Sequence, residues 1–409
     1  MAEELDIAIV CHNFPPHVGG VEIVAYEQGR RLAERGHQVT VYTSEVASAP
    51  PGEAELDLPP KLHVRRLPSW LRVGSMPLLR HLSQVTGHQV VHLHLPFLFG
   101  AEIVGPLTRR RRTPLVVTFH AGNVEVGPLD WIRAPGMGTM GHYYIRYLSL
   151  RCVGNAAAVC LLSEAQDRHP TTPLRALLRK HPERRAVVPN GVDVERFRVP
   201  SADEARRARE ALVAEHGLPE DVPLAVWCGR LDAASLRYKR LDIALRALEL
   251  AKTPFALLVV GGGPLRERWI ETARESGLAD RVRFAGALPR ERMIESYWGA
   301  DLFAMSSVGP EAFPLTLLEA MATATPAIAP GLLDIRAVIE NEDQGLLFPP
   351  GDAGGLAAAI DRVLGLPAKE RAALGAAGRE RVAGSFTWEI STDRIEAVLR
   401  AVVDGAPQD

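Results

Sequence analysis

The sequence predicts an α/β architecture: two Rossmann-like domains, each a parallel sheet covered by helices, facing a central cleft. Three observations lead there. The chain has 409 residues, too many for one ordinary domain and suited to two of roughly 200. Short apolar runs of strand length alternate with longer stretches of helical period, the pattern of parallel βα units. The alternation pauses once, at Val188–Pro200, and then restarts.

In the first half the strand candidates are Asp6–Cys11, Gln38–Thr43, Val90–His94, Leu115–Phe119 and Ala157–Leu161. They are short and largely apolar, as strands are when both sheet faces are buried. Helix candidates Glu22–Glu34 and Gly141–Arg151 lie among them. The stretch VPNGVDVERFRVP then carries two prolines and an Asn-Gly turn signal. It divides the chain into domains at 1–190 and 191–386. The mixed-charge helix beginning SADEARRAREA opens the second. Its strand candidates are Leu224–Trp227, Ala256–Val260, Val282–Phe284, Leu302–Met305 and Ala327–Ala329; its helices are Arg240–Ala251, Leu265–Ser276, Arg290–Trp298 and Leu315–Ala322. A helix-rich stretch follows and ends in the amphipathic Trp388–Val403. In open sheets of this kind ligands bind beyond the carboxyl ends of the strands.

Composition narrows the function. Hydrophobic residues make up 47% of the chain, enough for two cores; charged residues make up 23%, with a net charge of −2. That balance argues against a nucleic-acid partner. The cysteines at 11, 152, 160 and 228 form no C-x-x-C pair, so neither a zinc site nor a disulfide framework is expected, and a reducing, cytoplasmic compartment fits. The N-terminus lacks the basic region and long apolar run of a signal peptide. No run reaches the roughly 18 to 20 apolar residues that span a bilayer.

The first constellation is SSVGPEAFPLTLLEAMA, residues 306–322. It leaves a strand end, and Pro314 suits the first position of the following helix. The free N–H groups of Leu315 and Thr316, with the helix dipole, favour an anion such as a diphosphate. Glu311 and Glu319 stand eight residues apart, a span of about 12 Å along a helix, close to the reach from a sugar ring to a ribose across a diphosphate. A carboxylate accepts two hydroxyl hydrogen bonds, which matches a diol. In the second constellation, residues 227–248, Arg230 follows a strand and Lys239 opens a helix. Two such cations neutralise a leaving diphosphate without a metal ion, and the chain has no D-x-D motif to hold one.

Gly19 and Gly20 form a strand-to-helix turn like those that bind phosphate, and Gly262 sits in a second such turn. Neither is a G-x-G-x-x-G fingerprint, so a nicotinamide cofactor is poorly supported and no cofactor is expected. His120 ends the strand in VVTFHAGN, where it reaches a sugar hydroxyl or shuttles a proton. His92 and His94 alternate on the strand before and read as structural or acceptor-side. Residues 61–112 carry nine cations against the single acid Glu102, with Trp70, Leu71 and Met76 among them, a possible surface for anionic lipid or a phosphorylated acceptor. Residues 121–147 read as an acceptor loop followed by an aromatic helix.

Taken together these motifs resemble the retaining glycosyltransferases of family 4, which have the GT-B fold. PPHVGGVE, VHLHLP, VVTFHA, VPNGVDVERF, CGRL with a later lysine, LLVVGGGPL, ADLFAMSS, the E-x7-E pair and GLLFPPGD carry the resemblance along nearly the whole chain. It implies a hexosyl or aminohexosyl transfer from a UDP- or GDP-sugar to a hydroxyl acceptor, independent of metal, by a front-face displacement. The nucleotide-sugar is then a substrate and not a cofactor, and the acceptor a glycolipid, a polysaccharide precursor or a small metabolite. Residue by residue, Glu319 would hold the ribose, Glu311 the donor sugar, and Arg230 and Lys239 the diphosphate. The amides of Phe313, Leu315 and Thr316 would assist, Gly20 would let its loop approach, His120 would touch the sugar, and the region of Arg283 and Phe284 would receive the base. The first domain would take the acceptor and the second the donor, with the terminal segment 387–409 crossing back onto the first. The enzyme would be cytoplasmic, either free or peripheral to the inner face of a membrane. Ala312 and Pro314 depart from the family's usual G-F-G, and DAASLRY lengthens the step from Arg230 to Lys239, so that Arg240 could share the lysine's role. A GT-B sugar-nucleotide epimerase and a silent sugar-nucleotide-binding protein are the alternatives, disfavoured by the combined motifs.

Overall fold

The computed structural model describes residues 3–16, 19–45, 58–73, 76–120, 149–166, 173–309 and 311–405. The chain forms two compact units: Met1–Gly191 together with Trp388–Asp409, and Val192–Thr387. The strands of the first are β1 Asp6–Val10, β2 Gln38–Ser44, β3 Leu62–Leu67, β4 Ser69–Val73, β5 Met76–Leu79, β6 Val90–Leu95, β7 Leu115–Phe119, β8 Ala158–Leu161 and β9 Arg185–Val187. Those of the second are β10 Leu224–Cys228, β11 Ala256–Val260, β12 Val282–Gly286, β13 Leu302–Ala304, β14 Ala327–Pro330 and β15 Leu346–Phe348.

The first unit has a seven-stranded parallel sheet in the order β3-β2-β1-β6-β7-β8-β9, with β4 and β5 paired as a separate antiparallel ribbon. Successive residues of β1 face opposite sides, and both sides are buried. Ala8 and Val10 join a core with Leu93, Val117 and Val104, whereas Ile7 and Ile9 join one with Ala25, Leu32 and Val116. The second core also takes Ile395 and Leu399 from the C-terminal Trp388–Asp404 helix, both fully buried. That helix lies along the Gly20–Glu34 helix. Gln28 Nε2 donates to Ser391 Oγ at 3.2 Å, and Arg35 pairs with Asp393 at 2.7 Å and Glu396 at 2.9 Å. Burial works to raise the Glu396 pKa, but hydrogen bonds from Arg35, Arg400 and His37 outweigh it and bring the group down to about 2. Partly exposed ion pairs stabilise by about 0–1 kcal/mol each, and burying an Ile or Leu by about 1.5–3 kcal/mol. Apolar contact therefore dominates the docking of this helix, and the ion pairs set its register.

The second unit has a six-stranded parallel sheet in the order β12-β11-β10-β13-β14-β15. Its Ala202–His216 helix begins with a capping box, Ser201 Oγ accepting from the Glu204 amide and the Glu204 carboxylate from the Ser201 amide, and ends at Gly217 with φ +61°. In each sheet the strand order reverses beside the first strand, between β1 and β6 and between β10 and β13. Chains leaving the strands there diverge and open a crevice.

Two expectations change here. The edge strand β3, sequence LHVRRL, was not anticipated, because it alternates buried Leu62 and Leu67 with exposed positions such as His63 and Arg65; an edge strand needs no continuous apolar run. The cations of 61–112 do not form one face. Arg109 to Arg112 end the Gly100–Arg111 helix just before the N-terminal end of β7, while the β4–β5 ribbon leaves from the C-terminal end of β3. In a parallel sheet these are opposite edges. Residues 121–147 and the start of the expected Gly141–Arg151 helix lie outside the described residues; from Ser149 the chain is helical to Gly154.

Candidate active site

In the second unit the site is assembled where β10, β11 and β13 end. Gly261 and Gly263 have φ of +144° and +151°. A Cβ on Gly261 would lie 1.9 Å from the Gly229 carbonyl oxygen, and one on Gly263 would lie 2.3 Å from that of Leu231. Only glycine permits this backbone-on-backbone approach. Around it, Leu231 N donates to the Gly262 carbonyl at 2.9 Å and Leu265 N to the Leu231 carbonyl at 2.8 Å. The exit of β10 is fixed in this way, and Arg230 stands on it, largely exposed and 2.9 Å from the Asp232 carboxylate.

The longer step from Arg230 to Lys239 folds as the Ala233–Tyr238 helix, and the loop after β13 is stitched to its end. Trp227 Nε1 donates to Ser306 Oγ at 2.8 Å. The Ser306 hydroxyl shares its one proton between the Lys239 and Arg240 carbonyls, at 2.9 and 2.8 Å, and Val308 N donates to the Tyr238 carbonyl at 2.8 Å. These bonds bring Lys239 Nζ to 2.6 Å from Glu311 Oε1. The same carboxylate accepts from Ser307 Oγ at 2.7 Å. Arg240 does not share the lysine's position. It takes a left-handed conformation with φ +50°, and its guanidinium is held by Asp242 at 2.7–3.1 Å.

The Leu315–Ala322 helix follows. Pro314 is its N-cap and not its first residue: with ψ 118° it is still extended. The amides of Leu315 and Thr316 belong to the first turn and have no partner within the helix. Phe313 is buried edge-on against Phe386, ring centroids 5.1 Å apart. Glu319, one turn inside, is 9% exposed. Burial raises its pKa to about 7, with Arg290 and the Tyr297 hydroxyl pulling the other way. Tyr297 is fully buried and donates to Glu319 Oε2 at 3.3 Å. Because the chain is helical only from Leu315, the separation of Glu311 and Glu319 is not a helical rise.

Arg283 is not brought to this place. Its guanidinium is taken up by the carbonyls of His216, Ala279 and Val282, which gather at the beginning of β12, while Glu311 follows the end of β13. Phe284 faces the other side of the strand and packs on the core of the unit. Sequence reasoning missed Trp227, Ser306, Ser307 and Tyr297. The paired serines after an apolar strand were a usable signal for the first three, whereas nothing local links Tyr297 to Glu319.

In the first unit the matching edge carries the ends of β1, β6 and β7. Gly19 is the extended N-cap of the Gly20–Glu34 helix; Gly20 is exposed, and a Cβ there would meet nothing within 4 Å. Beside them His12 Nε2 lies 3.4 Å from Glu22 Oε1. His94 Nδ1 lies 2.8 Å from His120 Nε2, with the two rings stacked at 5.0 Å and 9°. Burial depresses the His120 pKa to about 3, with nearby His92 and His12 adding to the effect.

Comparison with known proteins places this geometry. The family described as Glycosyl transferases group 1 matches residues 208–381, and Glycosyltransferase Family 4 matches residues 18–196. A D-inositol 3-phosphate glycosyltransferase from Geodermatophilus obscurus is 30% identical over 94% of this chain and 85% of its own length. The chain belongs to glycosyltransferase family 4. A second relative, D-inositol 3-phosphate glycosyltransferase 1 from Catenulispora acidiphila, is also 30% identical, over 95% of this chain and 92% of its own. Among solved structures, sucrose-phosphate synthase from Thermosynechococcus elongatus superposes with a TM-score of 0.74 at 25% identity, covering 97% of this chain and 99% of that one. Anabaena HepE, solved in complex with UDP and glucose, also gives 0.74, at 16% identity and with 97% and 100% covered. The chain is thus a glycosyltransferase with the two parallel-sheet units of the GT-B fold. Among the described residues of this family 4 member, no helix is long and apolar enough to cross a membrane.

Proposed function

We propose that this enzyme transfers a hexose or aminohexose from a UDP- or GDP-sugar to a hydroxyl acceptor with retention of configuration and without a metal ion. The observation that carries the reading is the Lys239–Glu311 pair, held at the β10/β13 reversal beside a helix whose first amides have no partner within it, with Glu319 buried one turn further on. The diphosphate takes the amides of Leu315 and Thr316 together with Arg230 and Lys239, which stabilise its growing charge as it leaves. Glu311, released in part from Lys239, accepts hydrogen bonds from the donor sugar, and Glu319 accepts them from the ribose diol. Gly262 adds a donor contact from the end of β11. In the front-face step the acceptor oxygen bonds to the anomeric carbon as the bond to the phosphate oxygen breaks, and the acceptor proton passes to that departing oxygen.

The acceptor carries a hydroxyl, and a phosphorylated cyclic polyol, the kind of compound in the relatives' names, is the first to try. The ribbon of β4 and β5 supports a second contact, with anionic lipid. Trp70 and Leu71 are 69% and 56% exposed, and the Arg80 guanidinium lies 3.9 Å from the Trp70 ring centroid. An enzyme working there would be cytoplasmic and peripheral.

A donor screen by nucleotide release tests the transfer, with two variants to test the site. Glu311→Ala abolishes transfer and keeps nucleotide affinity within a few-fold, while Glu319→Ala weakens nucleotide binding itself. Full activity in both variants would sink the assignment.

A further inference from the structure

One face of the first sheet, mostly apolar, carries a column of histidines. His92 and His94 on β6 lie on the side of Val90, the side covered by the Gly20–Glu34 and C-terminal helices, with Thr118 and His120 beside them on and just beyond β7. His92 and His94 are both 0% exposed. His92 Nε2 lies 2.7 Å from Thr118 Oγ1, and its ring is 4.3 Å from that of His94. The remaining ring nitrogens, His92 Nδ1 and His94 Nε2, are buried with no hydrogen-bond partner among the described residues. Burial depresses the pKa of all three histidines, so each ring carries one proton.

A neutral imidazole has one N–H and one lone pair. The 2.8 Å contact between His94 Nδ1 and His120 Nε2 therefore has two possible senses. Were His120 the donor, the His94 proton would sit on Nε2, a buried N–H with no acceptor. With His94 as the donor, only a bare lone pair is left unpaired. Orphaned buried N–H groups are the rarer and costlier arrangement, which selects the second sense. The amide of His120 also donates to the Leu95 carbonyl at 2.9 Å, so backbone and ring are both tied to β6.

We propose that His94 is a positioning residue: it donates to Nε2 of His120, fixes the His120 proton on Nδ1, and makes His120 a hydrogen-bond donor toward a substrate oxygen and not a base. The functional half rests on the reading of His120 as a substrate contact; the tautomer does not. The test is long-range ¹H–¹⁵N spectroscopy of the imidazoles in the intact protein, with His120 assigned by the signal lost in His120→Gln. The expected pattern has the proton on Nδ1 of His120. His94→Leu lets that proton redistribute and lowers kcat by roughly 10- to 100-fold, the range seen when outer-shell partners of metal-ligating histidines are removed, with nucleotide Kd unchanged. His94→Asn, whose amide reproduces the Nδ1–H, restores both. A proton on Nε2 of His120 in the wild type overturns the proposal, and so does an undiminished kcat in His94→Leu. Should His94→Leu not fold, the wild-type spectrum still decides. Wild-type transfer by His120→Gln would overturn the functional half while the spectrum still reports the tautomer.

Discussion

Glu319→Gln separates the cost of burying a carboxylate from its use. Burial raises the Glu319 pKa from 4.5 to about 7. At 1.36 kcal/mol per unit this difference is worth about 3 kcal/mol. Below pH 4.5 the group is protonated both folded and unfolded, and the fold has its full stability. As pH rises the unfolded chain ionises first, so stability drains away until the folded group ionises near 7. Glutamine keeps the shape and cannot ionise. The variant is therefore expected to gain on the wild type between pH 5 and 8, by up to about 3 kcal/mol, in the urea transition of the second unit read by Trp227 and Trp269 fluorescence. A difference that is the same at both pH values would refute the argument. Binding should show the reverse. A ribose diol donates to the ionised carboxylate, so nucleotide binding near pH 6 releases up to one proton, measurable by calorimetry in buffers of different ionisation enthalpy. Glu319→Gln loses both the release and affinity, because its amide nitrogen cannot accept.

Two further outcomes follow from geometry described above. Gly261→Ala forces a Cβ to within 1.9 Å of a backbone oxygen at φ +144°; it is expected to lower the unfolding free energy of the second unit by about 3 kcal/mol or more, and a thermal transition unchanged from wild type would contradict that. Paired Trp70→Ser and Leu71→Ser changes are expected to abolish flotation with anionic vesicles, while neutral vesicles float neither protein; wild-type protein absent from both would remove the lipid contact.

What could be read from the sequence was what local pattern encodes. The buried strands β7 and β11 and the helices Arg290–Trp298 and Leu315–Ala322 stand where apolar runs and periodicity placed them. Glu311 and Lys239, 72 positions apart, meet as an ion pair, and the motif reading puts Glu311 after a strand and Lys239 at the opening of a helix. The remainder depends on tertiary packing. The edge strand β3 has one neighbour and an exposed side, so its pattern is diluted by charge. Arg283 lies within a promising motif, yet its guanidinium was captured by carbonyls that only the folded chain brings together. Tyr297 reaches Glu319 from another helix, and neither residue announces the other.

The C-terminal helix has a consequence for synthesis. Val192–Thr387 is one continuous stretch and holds all six of its strands by Phe348, so it can close while the chain is still being made. The first unit emerges earlier and finishes later. Its core lacks Ile395 and Leu399 until the Trp388–Asp404 helix has left the ribosome. The usual order, in which the N-terminal domain folds first, is reversed for completion: the first unit must wait, with part of an apolar sheet face uncovered, for a helix translated after the whole of the second.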